Sequence, residues 1–258
     1  METTKPILNI ASDGRTIYVL MRDCLMIYPI HSLNSKQIIK FDALAEESIN
    51  NRTPMLVCRD DAIFANDCYL YWVNLKSKDS EWKYVQRKTI YCICPIDELG
   101  LLVVGGKTYS KLSYLGKSTS RTNFKIYSNG QSDKHSHLHT FEIPNCQAES
   151  VCELKHISTK PTNTKLLLTL TDHGKLFFFR VKAYNDIELY SRVETHEIGI
   201  QSIVSLKYHA ETGVLMLLEE LAPKHLCFKL LKLKCSYEKV ELGTESVRLP
   251  VSNYREEF

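Results

Sequence analysis

Short apolar runs alternate with polar turns along almost the whole chain. Five of these runs end on an aromatic residue, and a second apolar run lies upstream of each one. In four of the five cases the connection is only two to five residues long, which is typical of an antiparallel β-hairpin. The runs with a terminal aromatic residue are Cys24–Tyr28, Cys68–Trp72, Asn123–Tyr127, Lys175–Phe179 and Lys224–Phe228.

Two further runs flank each hairpin. The upstream runs are apolar and cover Ile7–Ala11, Met55–Cys58, Thr89–Pro95, Ser150–Ile157 and Ile203–His209. The downstream runs are more polar and cover Lys36–Phe41, Glu81–Gln86, His137–Ile143, Asp186–Val193 and Glu238–Arg248. The terminal aromatic residues of the hairpins are 44, 55, 52 and 49 residues apart. Four strands repeated at such a period predict propeller blades, with three apolar strands buried between blades and a charged fourth strand at the rim.

The repeat resembles the WD40-like β-propeller family from about residue 6 to residue 248. The resemblance is one of spacing, because the family's Gly-His dipeptide is absent and no strand ends in Trp-Asp. The nearest approaches are Trp72-Val73 and the turn Asp172-His173-Gly174. The resemblance implies an all-β propeller of about five four-stranded blades in residues 1–248, followed by a C-terminal tail at 249–258. A β-sandwich of two sheets is the alternative fold.

Five blades raise the question of how the ring closes. WD40-like rings usually have seven blades, and an unclosed ring leaves exposed sheet edges. The chain forms either a small closed ring or an incomplete one that a partner closes. Pairing of Val247–Val251 with the first blade is a further way to close the circle.

Two local segments carry specific expectations. Asp172-His173-Gly174 lies between two apolar runs, so we interpret it as the tight turn of a hairpin, with a glycine at positive φ. Residues 42–50, DALAEESIN, are the one segment with a short helical pattern.

The composition of the chain indicates its protein class and its cellular compartment. The chain is 44% hydrophobic and 24% charged, which is typical of a globular protein, and its net charge of +3 is too small to indicate a partner. The nine cysteines are scattered and lie mostly in apolar runs, and the sequence shows no secretory signal or membrane span. We therefore expect reduced thiols, a nuclear or cytoplasmic location and no membrane association.

The sequence contains few candidates for chemistry. Gly106-Lys107-Thr108 lacks the upstream glycine of a phosphate-binding loop. The alternating His135, His137 and His139 would share one face of a strand and could bind zinc with a further ligand, but a polar rim strand with one exposed face is the favoured interpretation. The cysteines at 92, 94, 146 and 152 fit core packing better than a thiolate site. We expect no enzymatic activity, cofactor, metal or small-molecule substrate.

An insertion in the third unit is the most distinctive feature. Residues 106–123 lengthen a hairpin connection that is short elsewhere, and between positions 107 and 132 there are five basic residues and no acidic one. Aromatic residues are interleaved with them, so the segment could follow a phosphate backbone, dock on an acidic protein surface or receive phosphate on its serines. A solvated loop with a chance excess of basic residues is the alternative. The candidate interaction residues are Lys107, Lys111, Tyr114, Lys117, Arg121 and Lys125.

Two functions remain open. The first is a non-enzymatic scaffold or adaptor subunit that mediates protein–protein interactions within a larger intracellular complex. The second is an accessory propeller that binds nucleic acid through the basic 106–134 loop. An enzyme that uses the central channel has only the blade count in its favour, because fold alone does not establish function.

Overall fold

The chain forms a β-propeller of five antiparallel sheets with four main strands each. A computed structural model describes residues 6–41, 53–85, 89–107, 121–129, 136–159, 164–198, 200, 203–222, 225–235, 240–243 and 249–250. Within these ranges the strands follow each other in chain order inside every sheet, so each sheet is a simple meander. The propeller prediction is confirmed, and the β-sandwich is not observed.

The blades comprise consecutive groups of four strands. Blade 1 contains β1 (Ile7–Ser12), β2 (Thr16–Met21), β3 (Cys24–Pro29) and β4 (Gln37–Lys40). Blade 2 contains β5 (Met55–Cys58), β6 (Asp61–Asn66), β7 (Tyr69–Asn74) and β8 (Ser80–Tyr84). Blade 3 contains β9 (Thr89–Ile96), β10 (Leu101–Lys107), β11 (Arg121–Ser128) and β12 (His137–Gln147).

The last two blades follow the same plan. Blade 4 contains β13 (Val151–Thr159), β14 (Thr164–Thr171), β15 (Lys175–Ala183) and β16 (Asp186–Glu194). Blade 5 contains β17 (Ile203–His209), β18 (Val214–Ala222), β19 (His225–Cys235) and β20 (Val240–Gly243), and β21 (Leu249–Pro250) pairs with the first half of β19. The described part of the predicted closing strand thus belongs to blade 5, and its predicted pairing with the first blade is wrong.

Apolar residues on alternating sides of each strand hold the blades together. In β15, Phe177 and Phe179 join the cluster shared with blade 3, whereas Phe178 joins the cluster shared with blade 5. All three side chains are fully buried. Since successive strand residues point to opposite faces, a blade with two neighbours must be apolar on both faces. This requirement explains the uninterrupted FFF run.

The first strand of each blade lies nearest the axis and contacts the first strand of the next blade. The contacts run from β1 to β5, from β5 to β9, from β9 to β13 and from β13 to β17. Four hydrophobic clusters fill the corresponding junctions. Within the described ranges no such cluster joins blade 5 to blade 1, so the ring is open at that side.

The predicted turn at residues 172–174 is confirmed. Gly174 has φ 74°, and its N–H donates to the carbonyl of Thr171 at 3.0 Å. Asp172 reaches the start of blade 4: its N–H donates to the Ser150 carbonyl, and its carboxylate accepts from the Ser150 N–H at 2.9 Å. The turn is therefore a structural corner that joins a hairpin to the innermost strand.

Helical structure is limited to short 3-10 turns among the described residues. The segment predicted to be helical, residues 42–50, lies outside the described residues. In the part of the chain that the structure describes, no helix has the length and hydropathy of a membrane span.

Candidate interaction surfaces

The face of blade 1 that points away from blade 2 is apolar and exposed. Strand pairing places Ile10, Val19, Met26 and Ile38 in one row across the blade. Ile10 is 57% exposed and Ile38 is 41% exposed, and Ile7 beside them is 58% exposed. We call these five residues the open face of blade 1.

The opposite side of the same blade is packed. Tyr18, Leu20, Leu25 and Ile39 alternate with the open-face residues and form a cluster with blade 2, where none is more than 6% exposed. The blade thus has the two apolar faces of an internal blade, whereas the described residues pack a neighbouring blade against one of them. The expectation that the first three strands of every unit are buried between blades is therefore wrong for this face.

Blade 5 has a corresponding surface on the other side of the opening. The pairs Leu218 with Phe228 and Met216 with Leu230 lie next to Val214 and are half-buried. The alternating residues of β18, Leu215 and Leu217, are fully buried against blade 4. We call the five half-buried residues the open face of blade 5.

Basic side chains border the open face of blade 5. Lys207 pairs with Met216, and Lys232 pairs with Val214. Both lysines are exposed. At the other end of the strip Glu220 pairs with Leu226 and is also exposed. The open face of blade 5 is therefore an apolar strip with two lysines at one end and a carboxylate at the other.

The basic insertion emerges where two strands separate. β10 and β11 pair from Leu101 with Ser128 to Val104 with Lys125, and beyond this point β10 pairs only with β9 and β11 only with β12. Lys107 is exposed at the end of β10. The insertion is confirmed between these strands, whereas Lys111, Tyr114 and Lys117 lie outside the described residues.

The two described basic residues of β11 contact blade 3. The Arg121 guanidinium donates to the Glu142 carboxylate on β12, and both side chains are largely exposed. Lys125 is half-buried and lies near His137, whose pKa is lowered by burial and by this positive charge. Part of the positive charge is thus held against the blade, and the role of the six residues in binding stays a prediction.

The glycines before Lys107 are explained by packing. A Cβ on Gly105 would lie 2.6 Å from Cys92 Sγ and 2.6 Å from Val151 Cγ1. Gly106 has φ 157°, and a Cβ there would meet the Thr89 carbonyl oxygen at 2.1 Å. Strand β10 therefore passes close to β9 and to blade 4, and the Gly-Gly-Lys sequence serves this close approach.

A buried ionic cluster lies between blades 3 and 4. Glu149 has a side chain 2% exposed, and Lys175 donates to its Oε1. Thr122 fixes the backbone of Glu149, because its hydroxyl bonds both the Glu149 carbonyl and the Glu149 N–H. Burial raises the pKa of Glu149, but interactions led by the hydrogen bond from Lys175 outweigh it and leave the pKa below its ordinary value. The carboxylate is therefore charged and structural.

A second ionic pair lies within blade 5 on the side that faces blade 4. Lys229 Nζ is 3.0 Å from Glu219 Oε2, and the two side chains are 5% and 1% exposed. The Cys227 thiol donates to the same carboxylate oxygen. Because buried charges need partners of this kind, the pair accounts for charged residues inside an apolar junction.

A cavity of about 370 Å³ lies at the axis. It is lined by residues of β1, β5, β9 and β13 together with Thr53 and Pro54. Asn9 closes one side by donating to the Thr53 carbonyl at 2.6 Å. Glu153 is the single carboxylate among the described lining residues, whereas most glycosidases use a pair of carboxyl groups.

The other candidate ligands are dispersed or buried. His137 is exposed on β12 and bonds Thr140, whereas His135 lies outside the described residues. Burial raises the pKa of Cys94 to about 12, so its thiol is protonated at neutral pH. The structure brings no group of three or more His, Cys, Asp or Glu side chains into metal-binding proximity among the residues it describes.

The open faces were not identified from the sequence, although a signal for one was present. Strands β1 and β4 carry aliphatic residues on both of their faces: Leu8 and Ile10 in ILNIAS, and Ile38 and Ile39 in QIIK. Such a pattern indicates a strand buried on two sides. When the first blade of a chain is apolar on both faces, the pattern predicts that another surface covers the face that points away from the second blade.

The comparisons with known proteins show the fold. No protein-family model and no curated protein sequence matches the chain. Kluyveromyces lactis Hsv2 aligns with 96% of this chain and 75% of its own, with a TM-score of 0.60 and 11% identity.

Two further solved structures show the same similarity. Chaetomium thermophilum Raptor aligns with 94% of this chain but 21% of its own, with a TM-score of 0.61 and 8% identity. A chain of the Mitotic Checkpoint Complex aligns with 97% of this chain and 66% of its own, with a TM-score of 0.61 and 12% identity. The resemblance to WD40-like propellers is thus supported at the level of the blade architecture.

Proposed function

We propose that this protein is a non-enzymatic scaffold subunit that mediates protein–protein interactions within a larger complex in the nucleus or cytoplasm. The observation that carries this proposal is the open face of blade 1, where three isoleucines are more than two-fifths exposed. A contiguous exposed apolar surface on a rigid sheet is characteristic of a protein interaction site.

Two further observations support this function. The buried ionisable groups Glu149, Lys175, Glu219 and Lys229 are paired with each other at blade junctions, where they serve packing. One of the similar solved structures is a chain of the Mitotic Checkpoint Complex. By analogy, we assign this propeller to an assembly of several chains.

The first experiment is purification of the tagged full-length chain from native cells at physiological salt, with and without nuclease. We expect a complex with stoichiometric protein partners that persists after nuclease treatment. Recovery of the chain as a monodisperse monomer under both conditions would contradict the proposal. Partners that disappear with nuclease would instead favour the nucleic-acid function.

We further propose that the basic residues of the third blade form a second docking element, for an acidic protein surface. The basic residues are Lys107, Lys111, Lys117, Arg121 and Lys125, and Tyr114 is interleaved with them. Replacement of the five basic residues by alanine should weaken partner binding and reduce its dependence on salt, because exposed charge pairs are screened by ions. Lys76→Ala, which removes an exposed lysine paired with Asp60 on blade 2, is the matched control.

A further inference from the structure

The two open faces border the same opening in the ring. Blade 1 has its covered side towards blade 2, and blade 5 has its covered side towards blade 4. Their open faces are therefore the two surfaces that a further blade would contact on completing the circle. Such a blade would extend the sequence of sheet-on-sheet junctions already present four times in the molecule.

The aligned solved structures include chains longer than this one. Hsv2 aligns with 96% of this chain and leaves a quarter of its own length unmatched. A larger ring would place additional sheet between the open face of blade 1 and the open face of blade 5.

The chemistry of the two faces indicates what would occupy the opening. The open face of blade 1 presents isoleucine, valine and methionine in a flat row, which suits the apolar face of another β-sheet. The open face of blade 5 adds Lys207 and Lys232 at one end of its apolar strip. A sheet that covers it would carry acidic residues opposite these lysines.

We propose that a partner polypeptide supplies antiparallel β-sheet to this opening, apolar on both faces and acidic where it meets Lys207 and Lys232 of blade 5. The inference rests on the proposed scaffold function and names the partner class and the docking site.

The test is site-specific photo-crosslinking in the native cells. p-Benzoylphenylalanine is placed at position 10 on blade 1, at position 228 on blade 5, or at position 189 on the rim of blade 4. Leu189 is 38% exposed, which is close to the 41% of Ile38. It lies on blade 4, which has a neighbouring blade on each of its two faces. Position 189 is therefore a control with a similarly exposed apolar side chain away from the opening. We expect one partner polypeptide to crosslink from positions 10 and 228 and not from position 189.

A binding experiment complements the crosslinking. Ile10→Asp with Ile38→Asp should reduce recovery of that partner at least about tenfold, whereas Leu189→Asp should leave it unchanged. All three side chains are exposed, and thermal melting of the purified variants checks that the fold is retained. Crosslinks from positions 10 and 228 to a second copy of the chain would overturn the proposal.

The two proposals fail differently. A stoichiometric complex whose partner crosslinks only from position 189, or only from the basic segment, would refute the ring-completing sheet and leave the scaffold function intact. Absence of any stoichiometric partner would refute both.

Discussion

At the scale of single residues, the stability of the blade 3–blade 4 junction depends on the charge of Glu149. The carboxylate is almost fully buried and is neutralised by Lys175, whose own pKa is raised by the hydrogen bond to Glu149. Because the pKa of Glu149 is depressed in the folded state, its contribution is complete above pH 4.5. That contribution is lost as the pH falls through the folded pKa.

We predict that Lys175→Met lowers the free energy of unfolding by about 3 kcal/mol at pH 7, because it leaves a buried carboxylate without its counter-charge. Burial would then dominate and raise the pKa of Glu149 above its ordinary value, so the deficit should shrink as the pH falls from that raised pKa to the depressed pKa of the wild-type protein. Urea unfolding at pH 7 and at pH 4 measures both effects.

The matched control is Lys165→Met. Lys165 pairs with Glu98, and both side chains are about half exposed, so the loss should be less than about 1 kcal/mol. Equal losses for the two lysine variants, or a Lys175→Met deficit that does not change with pH, would show that the buried pair has no special role.

At the scale of strands, close approach of β10 to its neighbours restricts what position 105 can hold. The side chain of Val151 on β13 and the thiol of Cys92 on β9 occupy the space that a Cβ would need. Position 105 of β10 is therefore in close contact both with the adjacent strand β9 and with blade 4.

We predict that Gly105→Ala lowers the free energy of unfolding by about 2 kcal/mol, since the added methyl group overpacks the junction. Val151→Ala in the same chain should recover part of this loss, because it removes Cγ1, one of the two nearest atoms. Thermal and denaturant unfolding of the single and double variants measure the coupling.

Gly14→Ala serves as the comparison. Gly14 has φ 85° and open space around its Cβ position, so the substitution costs backbone strain of about 1 kcal/mol. Val151→Ala should not recover that loss. Additive behaviour of Gly105→Ala and Val151→Ala would contradict the packing explanation.

At the scale of the whole molecule, the number and order of the strands could be predicted because their signals are local. Alternation, turn glycines such as Gly174 and aromatic strand ends repeat within each unit. The contacts that decide how units meet could not be predicted, because partners such as Cys58 and Asp97 or Tyr208 and Ser158 lie far apart in sequence. The open faces belong to this second class, since exposure depends on which blade is next to which.

An open ring also predicts unequal stability along the chain. Among the residues that the structure describes, each inner blade is held at two hydrophobic junctions, whereas blades 1 and 5 are each held at one. A molecule built from units that contact only their neighbours unfolds from its ends at lower free energy than from its middle. Amide hydrogen exchange should therefore be faster in β2 and β3 than in β14 and β15.

Two equally buried phenylalanines allow the stability of a terminal junction to be compared with that of an inner junction. Phe64 is fully buried where blade 2 meets blade 1, and Phe177 is fully buried where blade 4 meets blade 3. Each truncation to alanine should cost about 3–4 kcal/mol locally. We predict that Phe64→Ala accelerates exchange in blade 1 alone, because detachment of a terminal blade leaves the other junctions intact. Phe177→Ala should accelerate exchange in blades 3 and 4 together, and equal effects of both variants across all blades would indicate a ring that unfolds as one unit.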